Sequence, residues 1–479
     1  MMANTQLHRS LGLFSLIALG VSGVIGSSWI YTNGTFFDTY GAGGMIFGLA
    51  LGTLLAACVA LSYAKLTTLF PRAGGEVVFG YTVLGRGVGF LVGWLLIGAY
   101  ISSLAFYFTA FGILLGRVFP FMDSLPLYSI AGQQVTAPVL LCGLGITLLF
   151  FCFNVFRVSI GAKVQTVFFA ILIFIGLCLA FVGFSQGTVD NFLPAFHPDD
   201  NPLTHTLRFV VPGMTYMAGF GLVATLAEEA KLSPKTIGRL VVITVLLAGS
   251  FYCLVLLASA FILPWEEVAT MEQGTITAFA TAGHKWLSWG AYLIALLGLL
   301  TSFLGLYMAT SRIVVAMARV ELLPAALARL DHRHNTPKNA LLFVMFITIA
   351  LGWLGKAAVV WFLDTGGIYL GLVWVIVVGA HIRLRSIYPH LAPESRWSLV
   401  LPLCGAVGAV LVIALALVPG SGLSLVFPAE YLILGAWALL GAFFYLTNKK
   451  HTPSEQALHS LLGDYAHTLT QATEPDPKK

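Results

Sequence analysis

The chain is poor in charge. Of its 479 residues only 9% are Asp, Glu, Lys or Arg, and 58% are hydrophobic, for a mean hydropathy of +0.91. Soluble domains carry about 25% charged residues, so this balance excludes a water-soluble globule and leaves a polytopic membrane protein. The six cysteines (Cys58, Cys142, Cys152, Cys178, Cys253 and Cys404) all fall in apolar segments. They lack metal-ligand spacing, and a disulfide framework would place them in outer loops, so they read as buried, inert thiols. No nucleophile–base pair, metal cluster or phosphate loop is visible, and Gly43-Gly44 or Gly74-Gly75 alone does not make one. An enzyme, a bound metal and a cofactor are therefore not expected. No ionisable residue lies near the middle of an apolar run, which removes the usual marks of a proton relay or ion pathway.

What the chain does have is apolar runs of the ~20 residues a membrane helix needs. Twelve are visible, at 11–31, 42–69, 87–115, 137–155, 164–184, 207–227, 237–263, 286–310, 340–361, 363–382, 399–418 and 430–446. With the N-terminus in the cytoplasm, only Arg117, Arg208, Lys285 and Lys356 of the 25 Lys and Arg residues fall in outer loops. That bias is the positive-inside pattern, and it also accounts for the net charge of +5. Both termini are then cytoplasmic. The first run leads straight into further spans and contains a break, so it does not read as a cleavable leader.

Two runs are interrupted by small residues. The first, Leu11–Tyr31, is broken at Ser22-Gly23-Val24-Ile25-Gly26-Ser27-Ser28; the second, Leu207–Ala227, at Ala218-Gly219-Phe220-Gly221. Unwinding a membrane helix strands N–H and C=O groups away from water, which is tolerated where they line a cavity or bind something polar. Small residues also serve helix packing. Breaks at matching places in two halves of a chain, however, point to the midplane site of a secondary carrier. Ser27, Ser28 and Trp29 begin a new half-helix whose N–H groups and positive dipole end suit a carboxylate. Carbonyls near Ser22–Val24 and Tyr216–Ala218 suit an ammonium group. Donors beside acceptors are what a zwitterionic amino acid requires.

The residue patterns then become specific. Phe70-Pro71-Arg72-Ala73-Gly74-Gly75-Glu76, with Tyr81, Gly85-Arg86 and Gly93-Trp94, resembles the loop after the second helix of the amino acid–polyamine–organocation superfamily. Gly23-Val24-Ile25-Gly26-Ser27-Ser28 is similar to its Gly-rich first-helix motif. Ala227-Glu228-Glu229-Ala230-Lys231 with Ser233-Pro234-Lys235 and Arg239 resembles its sixth-helix ending. Ser311-Arg312, Ala316-Met317-Ala318-Arg319, Leu323-Pro324 and Thr336-Pro337-Lys338-Asn339-Ala340 match its eighth-helix ending and entry to the ninth. The resemblance covers roughly residues 10–345. It implies an all-α fold of two inverted five-helix repeats with helices 1 and 6 broken, plus two peripheral helices, working by alternating access. The expected organisation is a cytoplasmic N-terminus at 1–9, repeats at 10–184 and 185–398, peripheral helices at 399–446 and a cytoplasmic tail at 447–479.

Three positions depart from the family pattern. Ser28 stands where a Gly is usual. Gly219-Phe220-Gly221 replaces the common Gly-Phe-Glu, so that acidic side chain is missing. The fifth-helix region Ala170–Ile173, where some proton-coupled relatives carry a lysine, is aliphatic.

The expected function is transport of an amino acid or close derivative across a plasma membrane of the bacterial inner-membrane type. The alternatives are a polyamine or other organocation exchanger of the same fold and a membrane nutrient sensor. Substrate-binding candidates are Ser22, Gly23, Val24, Gly26, Ser27, Ser28, Tyr100, Tyr216, Ala218, Gly219, Phe220 and Gly221, with Ser102, Ser103, Phe106 and Tyr107 as further third-helix residues. Glu228, Glu229 and Arg72 are gate candidates. Lys231, Lys235, Arg239 and Arg86 are further cations near those glutamates. Thr301 and Ser302 are the hydroxyls a sodium ion would want; proton coupling and solute exchange are the alternatives. The expected partners are a small zwitterionic substrate and lipid, not nucleic acid. In the tail, Leu458, Leu461, Leu462, Tyr465 and Leu469 recur at helical spacing and suit a short amphipathic helix on the membrane or the inner vestibule, or a frayed end.

Overall fold

A computed structural model describes residues 9–156, 158–217, 219–331, 336–391, 396–419, 424–447 and 454–466. Helices account for nearly all regular structure; one two-stranded hairpin, Pro126–Ile130 with Gln133–Thr136, lies between the third and fourth spans. Among the described residues nine helices are long and apolar enough to cross a membrane, and shorter apolar helices at Leu13–Val24 and Lys338–Gly352 join them. Large apolar side chains such as Phe14, Phe174, Phe181, Leu439 and Leu446 point outward, an apolar surface that only lipid would cover.

Each of the twelve runs appears as helix, with some boundaries moved. The first span is Leu13–Val24, then Ser28–Tyr31; after Thr32 the helix continues as Asn33–Leu69. The corner between the first and second spans is Gly41, at φ +73°. The first span thus runs about two turns past the expected Tyr31. The third span is Arg86–Gly116, the fourth Ala137–Phe156 and the fifth Val158–Gln186. The sixth is split into Pro202–Tyr216 and Leu222–Thr225, and the seventh is Pro234–Ile262. The eighth runs Lys285–Arg319, well beyond the expected residue 310, which draws Arg312 and Arg319 into a helix. The ninth to twelfth are Lys338–Gly352, Ala358–Ile387, Val400–Leu417 and Ala429–Thr447.

The third and eighth spans are buried along most of their length. The first span packs on the fifth, seventh and eighth, and the sixth mainly on the second and tenth. The fifth and twelfth are mostly exposed. The twelfth is nonetheless tightly docked. Trp94 and Trp437 stack with ring centroids 4.5 Å apart, and each indole N–H donates to the other's carbonyl, at 2.9 and 3.1 Å. Gly98 and Gly441 leave room for the two rings.

A helix of residues Ser454–Leu462 returns along the bundle end that carries Arg72 and Arg319. Ala457, Leu461 and Leu462 are buried there, Arg72 Nε donates to the Leu461 carbonyl (3.2 Å) and Ser460 Oγ donates to the Arg319 carbonyl (3.3 Å). A frayed end is therefore not what this stretch forms. Leu469 lies outside the described residues.

Replacing Trp437 with Ala removes a large, half-buried ring and the hydrogen bond its indole donates; fully buried Trp→Ala changes cost about 3–5 kcal/mol, which bounds the loss. The expected outcome is a clear fall in the detergent-solubilised melting temperature with the substrate site intact, read by thermal unfolding beside a binding assay.

Candidate functional site

Ile25 ends the first half-helix with non-helical geometry, and Ser27 opens the next with no side chain capping it. The groups freed between them find partners from two other spans and from the first span's own second half. The Tyr252 hydroxyl donates to the Val24 carbonyl (2.5 Å) and accepts from Gly26 N–H (3.2 Å). Ser302 Oγ lies within hydrogen-bonding distance of the Ser22 and Ile25 carbonyls, at 2.8 and 3.2 Å. The Trp29 indole donates to Gly26 O (2.8 Å), its ring edge-on to Tyr252 at 5.1 Å. Thr301 turns its hydroxyl back to the Leu297 carbonyl of its own helix (2.8 Å). Beside it, the Gln165 amide of the fifth span reaches Ser22 Oγ (2.8 Å) and the Thr301 carbonyl (2.9 Å). Sequence reading looked for a fifth-span polar group at 170–173 and passed over this neutral amide, which ties the first break to the eighth span.

The second break meets the first directly. Gly219 has φ +100°, a conformation L side chains rarely adopt, and a Cβ there would lie 2.6 Å from the Gly23 carbonyl. Ala218 lies outside the described residues. Tyr216 stands at the end of the first half of this span, its hydroxyl beside Ser28 and Thr32 but without a hydrogen bond of good geometry. Ser27 Oγ is likewise buried, beside the Tyr31 phenol, with no good hydrogen bond. Polar atoms poised this way around one point are what a polar ligand satisfies.

A cavity of about 20 Å³, room for roughly one water, lies between the breaks. Gly23, Val24, Gly26, Ser28 and Tyr216 line it with Ser103, Phe106, Tyr107, Leu306 and Leu363. None of these carries a charge. The third span thus contributes Ser103, Phe106 and Tyr107, while Tyr100 sits deeper, next to Gly221. Phe220 turns from the cavity to pack edge-on to Tyr63 (4.9 Å) and against Trp374 (5.5 Å).

Phe106, Tyr216 and Leu363 also border a second cavity, of about 350 Å³, walled mainly by Tyr31, Phe36, Tyr40, Ile113 and Pro212, with Asp364 and Lys356 at its edge. A further cavity of about 460 Å³ adjoins it through Ile113 and Lys356. The three cavities thus follow one another from the first break toward one end of the bundle, with Phe106, Tyr216 and Leu363 standing between the first two.

The other end is sealed by buried ion pairs. Glu229 holds Arg312 through two contacts, at 2.8 and 3.4 Å; Glu228 meets Arg319 at 3.2 Å and Arg72 at 3.7 Å, and accepts from Ala73 N–H (3.1 Å). Ser10 and Leu11 N–H groups donate to the Glu229 carbonyl and Lys231 N–H to the Leu11 carbonyl, pinning the start of the first span to the same point. The gate candidates Glu228, Glu229 and Arg72 thus come together. Arg312 and Arg319 join them from the eighth span, whose extra turns place both guanidiniums at the seal.

An all-helical bundle with at least nine membrane-length helices and two touching breaks defines a multi-pass membrane protein with a central polar site. Comparison with known proteins makes the class specific. The model of the amino acid permease family matches residues 11–439, and the chain belongs to that family, a branch of the superfamily resembled above and a family of permeases rather than enzymes. It is 26% identical to the branched-chain amino acid permease BcaP of Lactococcus lactis subsp. cremoris over 86% of this chain and 90% of the relative. Identity to the Bacillus subtilis BcaP is 25%, over 72% and 75% of the two chains. It is 26% to the chloroplastic cationic amino acid transporter 7 of Arabidopsis thaliana, over 72% of this chain and 60% of that one.

Removing one partner of a buried ion pair costs about 3–5 kcal/mol. Glu229→Gln should therefore open the sealed end, seen as faster labelling of a cysteine placed at Ala227 by a polar maleimide. The charge swap E229R/R312E should restore slow labelling if the pair itself is the latch. Gly219→Ala, strained by its φ and blocked by the Gly23 carbonyl, should abolish uptake while protein still reaches the membrane.

Proposed function

We propose that this permease is a secondary carrier of neutral, apolar-side-chain amino acids, working by alternating access between the two breaks. The observation that carries the reading is the cavity between the breaks. The Tyr216 hydroxyl and the start of a half-helix at Ser28 offer donors on one side, with the buried Ser27 hydroxyl adjacent in the chain. Carbonyls at the end of the preceding half-helices offer acceptors, and the remaining wall of Phe106, Tyr107, Leu306 and Leu363 is uncharged. A carboxylate and an ammonium fit the first two, and an apolar side chain the third.

In this reading the ion-paired end is cytoplasmic, as the Lys and Arg distribution requires, and the protein sits in a bacterial plasma membrane. Access is then from outside, through the 350 Å³ vestibule. The collapsed inner cavity corresponds to a substrate-free state in which Phe106, Tyr216 and Leu363 have closed over the breaks.

Asp364 at the vestibule edge favours a second reading, a cationic amino acid whose side chain points outward to that carboxylate. The two separate in one assay of purified protein. Under the first reading, leucine-like amino acids raise the melting temperature and drive counterflow in liposomes, whereas lysine and arginine do not; the reverse pattern selects the second. Ligands that bind the folded form raise apparent stability by mass action. Ser27→Ala should narrow the preference for the acid over its amide at least severalfold, since a lost hydrogen bond to a charged group costs about 1.5–3 kcal/mol. Unchanged discrimination would count against the carboxylate assignment.

A further inference from the structure

Glu76 begins a short helix, Glu76–Leu84, between the second and third spans, and its side chain is almost wholly buried. Neither the substrate cavity nor the ion-paired seal uses it. Its position is set by the preceding turn. Gly74 and Gly75, both at positive φ, bring the chain directly onto the second half of the broken sixth span. Gly74 N–H donates to the Thr225 carbonyl (3.2 Å), and a Cβ on Gly75 would lie 2.9 Å from Thr225 N. That contact delivers the carboxyl to the break. Thr225 Oγ1 donates to Glu76 Oε2 (3.2 Å), the Tyr63 phenol hydrogen-bonds the same carboxyl, and Oε1 fills the space that a side chain on Gly221 would take. Gly221 is where the family pattern commonly has its acidic residue, so the carboxyl absent from the sixth span arrives here from another element.

Its surroundings are neutral. The second and third spans present the phenols of Tyr63 and Tyr100. The tenth span packs Trp374 on Phe220, and its His381 engages Ser62 at 3.0 Å. The eighth span's Arg312 and Arg319 hold Glu229 and Glu228, and Arg72, on the loop before the helix, reaches Glu228 and the Leu461 carbonyl. Among the described residues, the side chains that act on Glu76 are the Thr225 hydroxyl and the Tyr63 phenol. Burial therefore dominates over the hydrogen bonds it accepts and pushes its carboxyl up to about 7.

We propose that Glu76 is the binding site of a co-transported proton, held while the ion-paired end is closed and released to the cytoplasm when that end opens. The reaction is carboxylate plus proton giving the neutral acid, with no other bond made or broken. In the closed arrangement the neutral acid suits its hydroxyl-lined niche. Opening requires Glu228 and Glu229 to leave Arg319 and Arg312, and Thr225 lies three residues before Glu228 on the same short segment. Movement of that segment uncovers Glu76 to water, its carboxyl returns to the ordinary range near 4–5, and the proton leaves into a neutral cytoplasm. Loading from the other side takes place across Gly221, where no side chain separates the carboxyl from the break.

The proposal rests on the permease reading, and its test separates the two. Full-length protein in liposomes is given whichever amino acid supports counterflow, and external pH is recorded with a weakly buffered electrode. Wild type should take up protons with substrate; Glu76→Gln, an isostere of the neutral acid, should keep counterflow, take up none and fail to concentrate substrate on an imposed pH gradient. Substrate affinity of the wild type should be constant at acid pH and weaken about tenfold per unit above pH about 7, as one linked proton requires; E76Q should bind equally at all pH values. Should E76Q not turn over, its binding profile decides: a profile that still falls above neutral pH overturns the proposal, and a flat one supports it. Proton uptake retained in E76Q, or absent in a wild type competent for counterflow, also overturns it. Failure of every amino acid to drive counterflow would instead strike the permease reading itself.

Discussion

Every feature of the centre depends on one constraint: a backbone unwound inside an apolar bundle must have its N–H and C=O groups met by the protein or by a ligand. The first break shows the division. Val24, Ser22, Ile25 and Gly26 carbonyls are met by Tyr252, Ser302 and Trp29, each from a fixed ring or helix position. These contacts hold the break open at a defined geometry and keep it from refolding into continuous helix. Among the groups they leave unmet, Tyr216 and the start of the half-helix at Ser28 line one small cavity, and the Ser27 hydroxyl is buried beside Tyr31. Structural satisfaction and ligand recognition are two shares of the same freed groups.

The constraint also explains why the two breaks touch. A Cβ on Gly219 would collide with the Gly23 carbonyl at 2.6 Å, and one on Gly23 would meet the Leu222 side chain at 2.5 Å. The small residues thus let the two breaks pack against each other. Because the halves of both spans beyond the breaks are short, each can move as a unit only if its far end is free. At one end of the bundle Glu228 and Glu229 are tied to Arg72, Arg312 and Arg319, with the 454–462 helix resting on Arg72 and Arg319.

Local patterns were readable in the sequence and distant pairings were not. The twelve runs, both breaks and the acidic pair after the sixth span are contiguous signals, and each appears where its residues are. Arg312 escaped as a gate partner because hydropathy ends the eighth run near residue 310, whereas the helix continues to Arg319; a charge at the end of a run reads as interfacial until its partner is seen. The docking of the twelfth span is not readable locally, because the pairing of Trp94 with Trp437 spans 343 positions and shows only in their reciprocal hydrogen bonds. Gln165 was missed because the search was for a cation a turn or more further along.

The most consequential omission concerns the missing acid of the sixth span. Sequence comparison position by position finds Gly221 where a carboxylate is common and concludes that the group is absent. In three dimensions the relevant quantity is whether a carboxyl occupies that volume, not which residue bears it. Glu76 occupies it, and can do so only because Gly221 has no side chain and Gly74 and Gly75 allow the loop to lie on the half-helix. The three glycines and the glutamate form one arrangement, and restoring a side chain at 221 would evict the carboxyl from 76. A site can therefore keep its chemistry while moving its acid to a different element, and a motif departure read as loss can be relocation.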